Sequence, residues 1–318
     1  MINIQKCAII GCGFVGATIA YSLMKSEMFS EIVLLDIDQK KAEGEASDLN
    51  HGLPFIAPME IYAGDYSDIA DASIIIITAG ANQKINETRL DLVKKNNKIF
   101  QSIIKNITKY NQNGIIIVVT NPVDILTYAT IAYSNFPKNK IIGSGTVLDT
   151  ARLKYLMGRH LEIDPRNVHT FIIGEHGDSE VAVWSSANIS GIDLDSYCKH
   201  SCDKCNMAAL NNIFEDVKTS AYKIISAKNA TYYAIAESVK KIVSSIVRDE
   251  NTVLPVSTYI SGHYGLDDIC LGLPCIVGAD GVKEILEIPL NDHEQKMLEL
   301  SAKKIKEVID DLNLTCLV

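Results

Sequence analysis

The run Gly11-Cys12-Gly13-Phe14-Val15-Gly16 directly follows the apolar stretch Cys7-Ala8-Ile9-Ile10, and a second apolar stretch, Ile32-Val33-Leu34-Leu35, ends on Asp36. A short apolar strand, a glycine turn and a helix beginning near Phe14 leave few folds open. Gly11, Gly13 and Gly16 let the backbone turn sharply and approach a ligand with no Cβ in the way. The free main-chain N–H groups of the first helical turn, at Phe14 and Val15, sit at the positive end of the helix dipole and suit a pyrophosphate. Asp36, twenty residues past Gly16, can accept hydrogen bonds from both hydroxyls of an adenosine ribose and would repel a 2′-phosphate. Together these parts predict a dinucleotide site that takes NAD in preference to NADP.

Continuous β-branched runs recur at residues 6–10, 31–35, 73–78, 115–119 and 140–142, separated by segments of helical periodicity. That alternation indicates an α/β protein with a parallel sheet covered on both faces. Residues 1–143 are expected to form a doubly wound, NAD-binding Rossmann domain. After Gly143-Ser144-Gly145 the pattern changes to that of a mixed α+β domain, residues 144–318, expected to carry the substrate. Its elements read as a helix at 146–160, a strand at 168–173, a hairpin-like stretch at 181–183, long helices over 207–247, strands at 252–260 and 274–277, and a last helix capped by Asn291 or Asp292. A chain of 318 residues that is 47 % hydrophobic can build two such units.

The net charge of −9 is spread along the chain without a basic face, which argues against nucleic acid as a partner. No apolar run approaches a membrane span and no leader precedes the first strand, so a cytoplasmic protein is expected. Of eight cysteines, Cys7 and Cys12 lie at the glycine turn and Cys270 and Cys275 flank an apolar stretch, which fits reduced thiols in a reducing compartment. Cys198, Cys202 and Cys205, with His200 among them, have a spacing that can hold a metal. The polar stretch 195–204 reads instead as a surface connection between helices, and no metal is expected.

Chemistry is suggested at four places. Gly174-Glu175-His176-Gly177-Asp178-Ser179 puts a histidine in a glycine-flanked loop at a strand end, and histidine is the natural proton carrier near neutrality. Asp149 and Arg152, three apart on the helix at 146–160, share a face. The aspartate can orient an imidazole and the arginine can grip a carboxylate through two parallel hydrogen bonds; the spacing fits an ordinary intrahelical ion pair equally well. The polar loop from Ala79 through Gln83 to Arg89 follows the third strand run, where ligands of open α/β sheets bind, and can act as a lid. Asn121, in Thr120-Asn121-Pro122-Val123-Asp124, ends the next strand at the same edge.

The segments GCGFVG with Asp36, AGANQKINETRLDLV, VTNPVDILTY, SGTVLDTARL, NVHTFIIGEHGDS and KNATYYAIA, in this order over nearly the whole chain, resemble the bacterial L-lactate dehydrogenases of the lactate/malate dehydrogenase family. The resemblance implies reversible reduction of pyruvate to L-lactate with NADH by a homotetramer. It implies that His176 exchanges the proton, Asp149 orients His176, Arg152 pairs with the substrate carboxylate and Arg89 polarises the carbonyl when the lid closes. It places Asn121 beside nicotinamide and substrate, Ala81 at the cofactor, Thr231 beside the substrate side chain and Ile235 at the nicotinamide face.

Gln83 falls where oxaloacetate-reducing relatives carry an arginine. A neutral amide would leave a second substrate carboxylate unpaired, so pyruvate is favoured over oxaloacetate. Lys84-Ile85-Asn86 departs from the proline and glycine common in the family's lid, which leaves larger 2-oxo acids open as substrates. Many bacterial relatives respond to fructose 1,6-bisphosphate through an arginine and a histidine. His169 matches the histidine, but Lys154 stands at the other position and lacks the guanidinium fork, so activation is expected to be weak or absent. The competing readings are a malate or branched-chain 2-hydroxy-acid dehydrogenase of the same family and a dinucleotide-binding protein without catalysis.

Overall fold

The apolar runs form strands because each is long enough to cross a sheet and apolar on both sides. The computed structural model describes residues 3–81, 89–201 and 206–316, with side chains except at positions 3, 4, 89, 200 and 201. Its first half alternates β1 (Asn3–Ile10), α1 (Phe14–Ser26), β2 (Glu31–Leu35), α2 (Gln39–Gly52), β3 (Glu60–Ala63), β4 (Ala72–Ile77), α3 (Arg89–Tyr110), β5 (Ile115–Val118), α4 (Val123–Tyr133) and β6 (Ile141–Gly143). All pairings among β1 to β6 are parallel. Alternate residues of each strand enter different cores, as a two-residue period requires. Ile75, Ile77 and Ile116 pack with Phe100, Ile104 and Tyr128 of α3 and α4 on one face. Ile74, Ile76 and Ile117 pack with Ile19 and Leu23 of α1 on the other.

The second half runs α5 (Val147–Leu161), β7 (Val168–His169), β8 (Ile172–Ile173), β9 (Val181–Ala182), β10 (Asn188–Ile189), β11 (Ile192–Asp193), α6 (Leu194–Ser201), α7 (Met207–Lys228), α8 (Tyr233–Val247), β12 (Thr252–His263), β13 (Leu266–Gly278), β14 (Gly281–Ile285) and α9 (Asp292–Asp311). Among the described residues the main sheet has nine strands in the order β14-β13-β12-β6-β5-β4-β1-β2-β3. It joins the two halves, because β12 pairs antiparallel with β6 through Ser257 and Gly143. Val239 and Ile242 of α8 share a core with the first-half residues Ile74 and Ile76. The result is an α/β fold with a large, mostly parallel sheet.

Several details differ from the sequence expectations. The run at 168–173 is two strands, β7 pairing with β10 and β8 with β9, because the chain changes sheets at Thr170, whose hydroxyl donates to Val183 O at 2.8 Å. β13 begins at Leu266 rather than near 274; Asp267 and Asp268 hide its start, and Asp268 is accommodated there by Tyr128 and Lys306. β3 and β14 went unread because each is short and partly exposed. Much of the stretch at 195–204 is helical rather than a connection, since α6 runs to Ser201. Asn291 does cap α9, in a reciprocal box with Glu294. No helix among the described residues is long and apolar enough to cross a membrane.

Candidate active site

The glycine turn is shaped by its neighbours. Gly11 has φ +104°, and a Cβ there would lie 2.5 Å from Ala79 N. A Cβ on Gly16 would lie 1.9 Å from Gly11 O, so α1 can approach the turn only without one. Gly13 differs: its φ is an ordinary −73° and a Cβ would meet no protein atom within 4 Å. The space in front of Gly13 is a cradle that a side chain would fill. No side chain caps α1 and no acid sits in its first turn, which leaves the positive end of the helix to an anion.

Asp36 closes the cradle at the end of β2. Its Oδ2 accepts the Cys12 N–H at 2.7 Å and its Oδ1 accepts the Asp38 N–H at 3.0 Å, so the carboxylate is braced beside the turn. On the α8 side, Tyr232 stacks on Phe14 with ring centroids 5.5 Å apart, and Ile235 and Val15 border the same core. The donor set, the open face at Gly13 and the braced acid all fit a dinucleotide.

The His176–Asp149–Arg152 cluster is built where α5 meets the loop after β8. Thr146, which caps α5, donates through its hydroxyl to Ile172 O at 2.6 Å, and Thr150 accepts the Ile172 N–H at 2.9 Å. These bonds fix the first turns of α5 against β8, and the shared helix face then presents Asp149 and Arg152 to His176. Asp149 Oδ2 lies 2.5 Å from His176 Nδ1, and Asp149 Oδ1 accepts from Arg152 at 2.8 Å. Asp149 is buried, with its side chain 3 % exposed, whereas 23 % of the His176 side chain remains open.

The electrostatics follow. Burial works against a charged imidazole, but the carboxylates of Asp149, Asp124 and Glu180 outweigh it and push the His176 pKa up to about 9. Burial likewise opposes ionisation of Asp149, yet His176 and Arg152 hold its pKa below the usual carboxylate value. Asp149 is therefore an anion holding a protonated imidazole at neutral pH, and an arginine stands beside them. Such an arrangement can give a proton to a carbonyl oxygen whose neighbouring carboxylate the arginine grips.

The remaining residues singled out in the sequence lie as follows. Asn121, exposed and joined to Pro122 by a cis peptide, follows β5 at the same sheet edge as the glycine turn. Ala81 donates its N–H to Asn96 Oδ1 at 2.8 Å, and Asn96 donates in turn to Asn121 O at 3.0 Å. Thr231, half-buried, precedes α8. Lys154, on α5, places its ammonium 6.0 Å from the Phe171 ring, and His169 is exposed on β7. Gln83 lies outside the described residues, as does the Arg89 side chain, although Arg89 opens α3. Cys7, Cys12, Cys270, Cys275 and Cys316 are free. Cys198 is disulfide-bonded, against the expectation of reduced thiols throughout. Cys202 and Cys205 lie outside the described residues.

Sequence reasoning missed three polar residues here. Asn96 is 1 % exposed and links Ala81 to Asn121. Asp124, 2 % exposed, accepts the His176 N–H at 2.8 Å. Glu180, 5 % exposed, has an Oε1 without a hydrogen-bond partner among the described residues, and burial, followed by the Asp149 charge, pushes its pKa up to about 8. Asp124 stands in a motif already singled out, TNPVD, and Glu180 directly follows another, GEHGDS, but neither motif shows that its carboxylate is buried.

Residues 5–143 match the family model for the lactate/malate dehydrogenase NAD binding domain, and residues 146–314 match that for the lactate/malate dehydrogenase alpha/beta C-terminal domain. The chain is 57 % identical to an L-lactate dehydrogenase of Acetivibrio thermocellus, over 98 % of each chain. It is 53 % identical to L-lactate dehydrogenase 1 of Clostridium acetobutylicum, over 96 % of this chain and 98 % of that one. Among solved structures, a lactate dehydrogenase from a deep-sea metagenome superposes with a TM-score of 0.95 at 44 % identity, covering 98 % of this chain and all of the other. The ligand-bound minor L-lactate dehydrogenase of Enterococcus mundtii gives 0.94 at 42 %, over 96 % and 98 %. Since both family models match in sequence order and relatives above 50 % identity run almost end to end, the chain belongs to the lactate/malate dehydrogenase family.

Proposed function

We propose that this protein is an NAD-dependent L-lactate dehydrogenase, reducing pyruvate to L-lactate and running the reverse reaction at higher pH. The observation that carries the reading is the His176–Asp149–Arg152 cluster, with His176 Nδ1 2.5 Å from Asp149 Oδ2 and Arg152 on the opposite oxygen. The near-complete similarity to proteins named L-lactate dehydrogenase supports it. In this proposal residues 1–143 hold the cofactor and residues 144–318 hold the substrate.

Gly11, Gly13, Phe14, Val15 and Gly16 would hold the pyrophosphate and Asp36 the adenosine ribose, with Ala81, Asn121 and Ile235 around the nicotinamide. Bound NADH supplies the hydride that the carbonyl carbon of pyruvate accepts. Arg152 binds the pyruvate carboxylate as a two-pronged donor and sets the carbonyl toward His176. His176, protonated, gives its proton from Nε2 to the carbonyl oxygen, and Asp149 holds the ring by Nδ1 throughout. Arg89 polarises the carbonyl from the lid. Thr231 borders the methyl group. Gln83 favours pyruvate over oxaloacetate because an amide cannot neutralise a second carboxylate.

Homotetramer assembly, cytoplasmic residence and a weak response to fructose 1,6-bisphosphate through Lys154 and His169 belong to the same proposal. The test is NADH oxidation with pyruvate, oxaloacetate and 2-oxoisocaproate in parallel, each with and without fructose 1,6-bisphosphate. Preference for pyruvate supports the assignment. Preference for oxaloacetate or the branched acid overturns the substrate, and no oxidation with any of the three overturns the catalytic reading.

A further inference from the structure

The loop that carries His176 is held from three sides. Gly174 exchanges main-chain hydrogen bonds with Gly272 of β13 at 2.8 and 2.9 Å. Glu175 donates its N–H to Ser301 Oγ of α9 at 2.8 Å. The third tether is of another kind: the His176 N–H itself goes to Asp124 Oδ2 at 2.8 Å, a carboxylate in the first turn of α4. A main-chain carbonyl would satisfy that N–H without burying a charge. Asp124 is 2 % exposed, and its Oδ1 has no hydrogen-bond partner among the described residues, nor has the buried Ser257 Oγ. Burying a carboxylate so incompletely bonded is costly. The chain accepts that cost directly behind the residue that exchanges the proton.

We propose that Asp124 is a positioning residue for the reaction: it fixes the His176 main chain relative to the Asn121 strand end and adds a second negative charge behind the imidazole. The inference rests on His176 being the proton carrier. Asp124 is three residues past Asn121, with the rigid Pro122 between them, so one short segment sets both the cofactor-side amide and the histidine. Its charge reaches His176, whose protonated form it favours. The groups around Asp124 are His176 and Glu175 from the loop, Ser257 from β12 and Cys270 from β13. Of these only Glu175 is a carboxylate and opposes its ionisation. Burial pushes the Asp124 pKa up to about 6, against the His176 N–H that its carboxylate accepts. Above that pH it is an anion, over the range in which His176 must keep its proton.

Two variants separate anchor from charge. Asp124→Asn keeps an acceptor oxygen and removes the charge. We expect the alkaline fall in kcat/KM for pyruvate to move to lower pH by roughly half a unit or more. Asp124→Ala removes both, and kcat should fall by about tenfold to a hundredfold with KM for NADH unchanged. Should Asp124→Asn fold poorly, Asp124→Ser, which also keeps an acceptor oxygen without the charge, should shift the limb the same way. An unmoved limb in these variants, or activity losses that only track lower thermal stability, would overturn the proposal. His176→Gln, measured alongside, keeps the two readings apart. If it retains turnover, the assignment of His176 fails. If it loses turnover while the Asp124 variants behave as the original protein, only the positioning role fails.

Discussion

Asp149 Oδ2 sits 2.5 Å from His176 Nδ1, and the same carboxylate holds Arg152 through its other oxygen. One buried anion thus fixes both the histidine and the arginine. In the proposed mechanism pyruvate reduction uses the His176 imidazolium, so its kcat/KM should be level below neutrality and fall as pH rises through about 9, the raised His176 value. Lactate oxidation requires the neutral ring and should rise over the same interval. In Asp149→Asn both limbs should move toward the ordinary histidine value of about 6.5, with a reduction rate at neutral pH lower by roughly a hundredfold or more. Paired pH profiles in the two directions check this. Limbs that stay in place would remove Asp149 from its assigned role.

In its proposed role Arg152 binds a carboxylate through two parallel bonds, whereas lysine offers a single point charge on a flexible stem that reaches less far. Arg152→Lys should raise KM for pyruvate by about a hundredfold, losing on the order of 2–3 kcal/mol of charge-assisted bonding. The KM for NADH should stay within about twofold, because the cradle lies on other elements. Steady-state kinetics with each substrate varied in turn measure both.

Gly13 and Gly16 should respond to alanine in opposite ways. Gly16→Ala drives a Cβ to within 1.9 Å of Gly11 O, so the turn must open and thermal stability should drop. Gly13→Ala meets no protein atom and has an ordinary φ; its melting temperature should hold while NADH affinity falls by about tenfold or more, as the methyl enters the cradle. Thermal unfolding together with NADH fluorescence titration separates the cases. A Gly13→Ala protein that binds NADH normally would move the pyrophosphate elsewhere.

Asp36→Ser should weaken NADH and admit NADPH. Losing a carboxylate acceptor costs about 1.5–3 kcal/mol, a fall of roughly tenfold to a hundredfold in kcat/KM for NADH, while the repulsion of a 2′-phosphate disappears. The ratio of the two cofactors' kcat/KM values is the readout. The Cys12 and Asp38 N–H groups also lose their acceptor, so some loss of melting temperature accompanies the switch.

Glu180 contributes a stability signature. Its folded pKa is raised to about 8, above the ordinary glutamate value of about 4.3. Between those two values the folded protein holds a proton that the unfolded chain has released. Stability should therefore be greatest below the lower value and decline as pH rises through the upper one. His176, also raised, lowers stability in the same sense over the upper part of that range. Glu180→Gln should remove the slope that begins near pH 5 and leave the histidine's portion. Melting temperatures from pH 5 to 9 for the two proteins give the difference, and parallel curves would mean that Glu180 is ionised throughout.

Much of the site was legible because its chemistry depends on local spacing. The glycine turn with Asp36, and Asp149 with Arg152 on one helix face, follow from short-range geometry that any strand-turn-helix or helix obeys. The pairing of His176 with Asp149 rested on family resemblance, since residues 27 apart meet only after β8 docks on α5 through Thr146 and Thr150. Asp124, Asn96 and Glu180 were invisible for the same reason: each acts by being buried, and burial is a property of the assembled core. The strand at 168–173 was misread as continuous because nothing in Thr170-Phe171 announces a change of sheet. β3 lacked the apolar run that signals a strand, since its hydrogen bonds to β2 do not depend on side chains.

The antiparallel contact of Gly143 with Ser257 has a practical consequence for anyone dividing this protein. Cutting the chain after β6 would strip away β12 and turn an internal strand, with Ile141 and Ile142 fully buried, into an open edge. α8 would leave as well, uncovering the apolar face around Ile74 and Ile76. An isolated cofactor-binding half would present unpaired backbone beside bare isoleucine, the combination that recruits neighbouring chains into aggregates, and it would need a replacement strand and helix before it could stand alone.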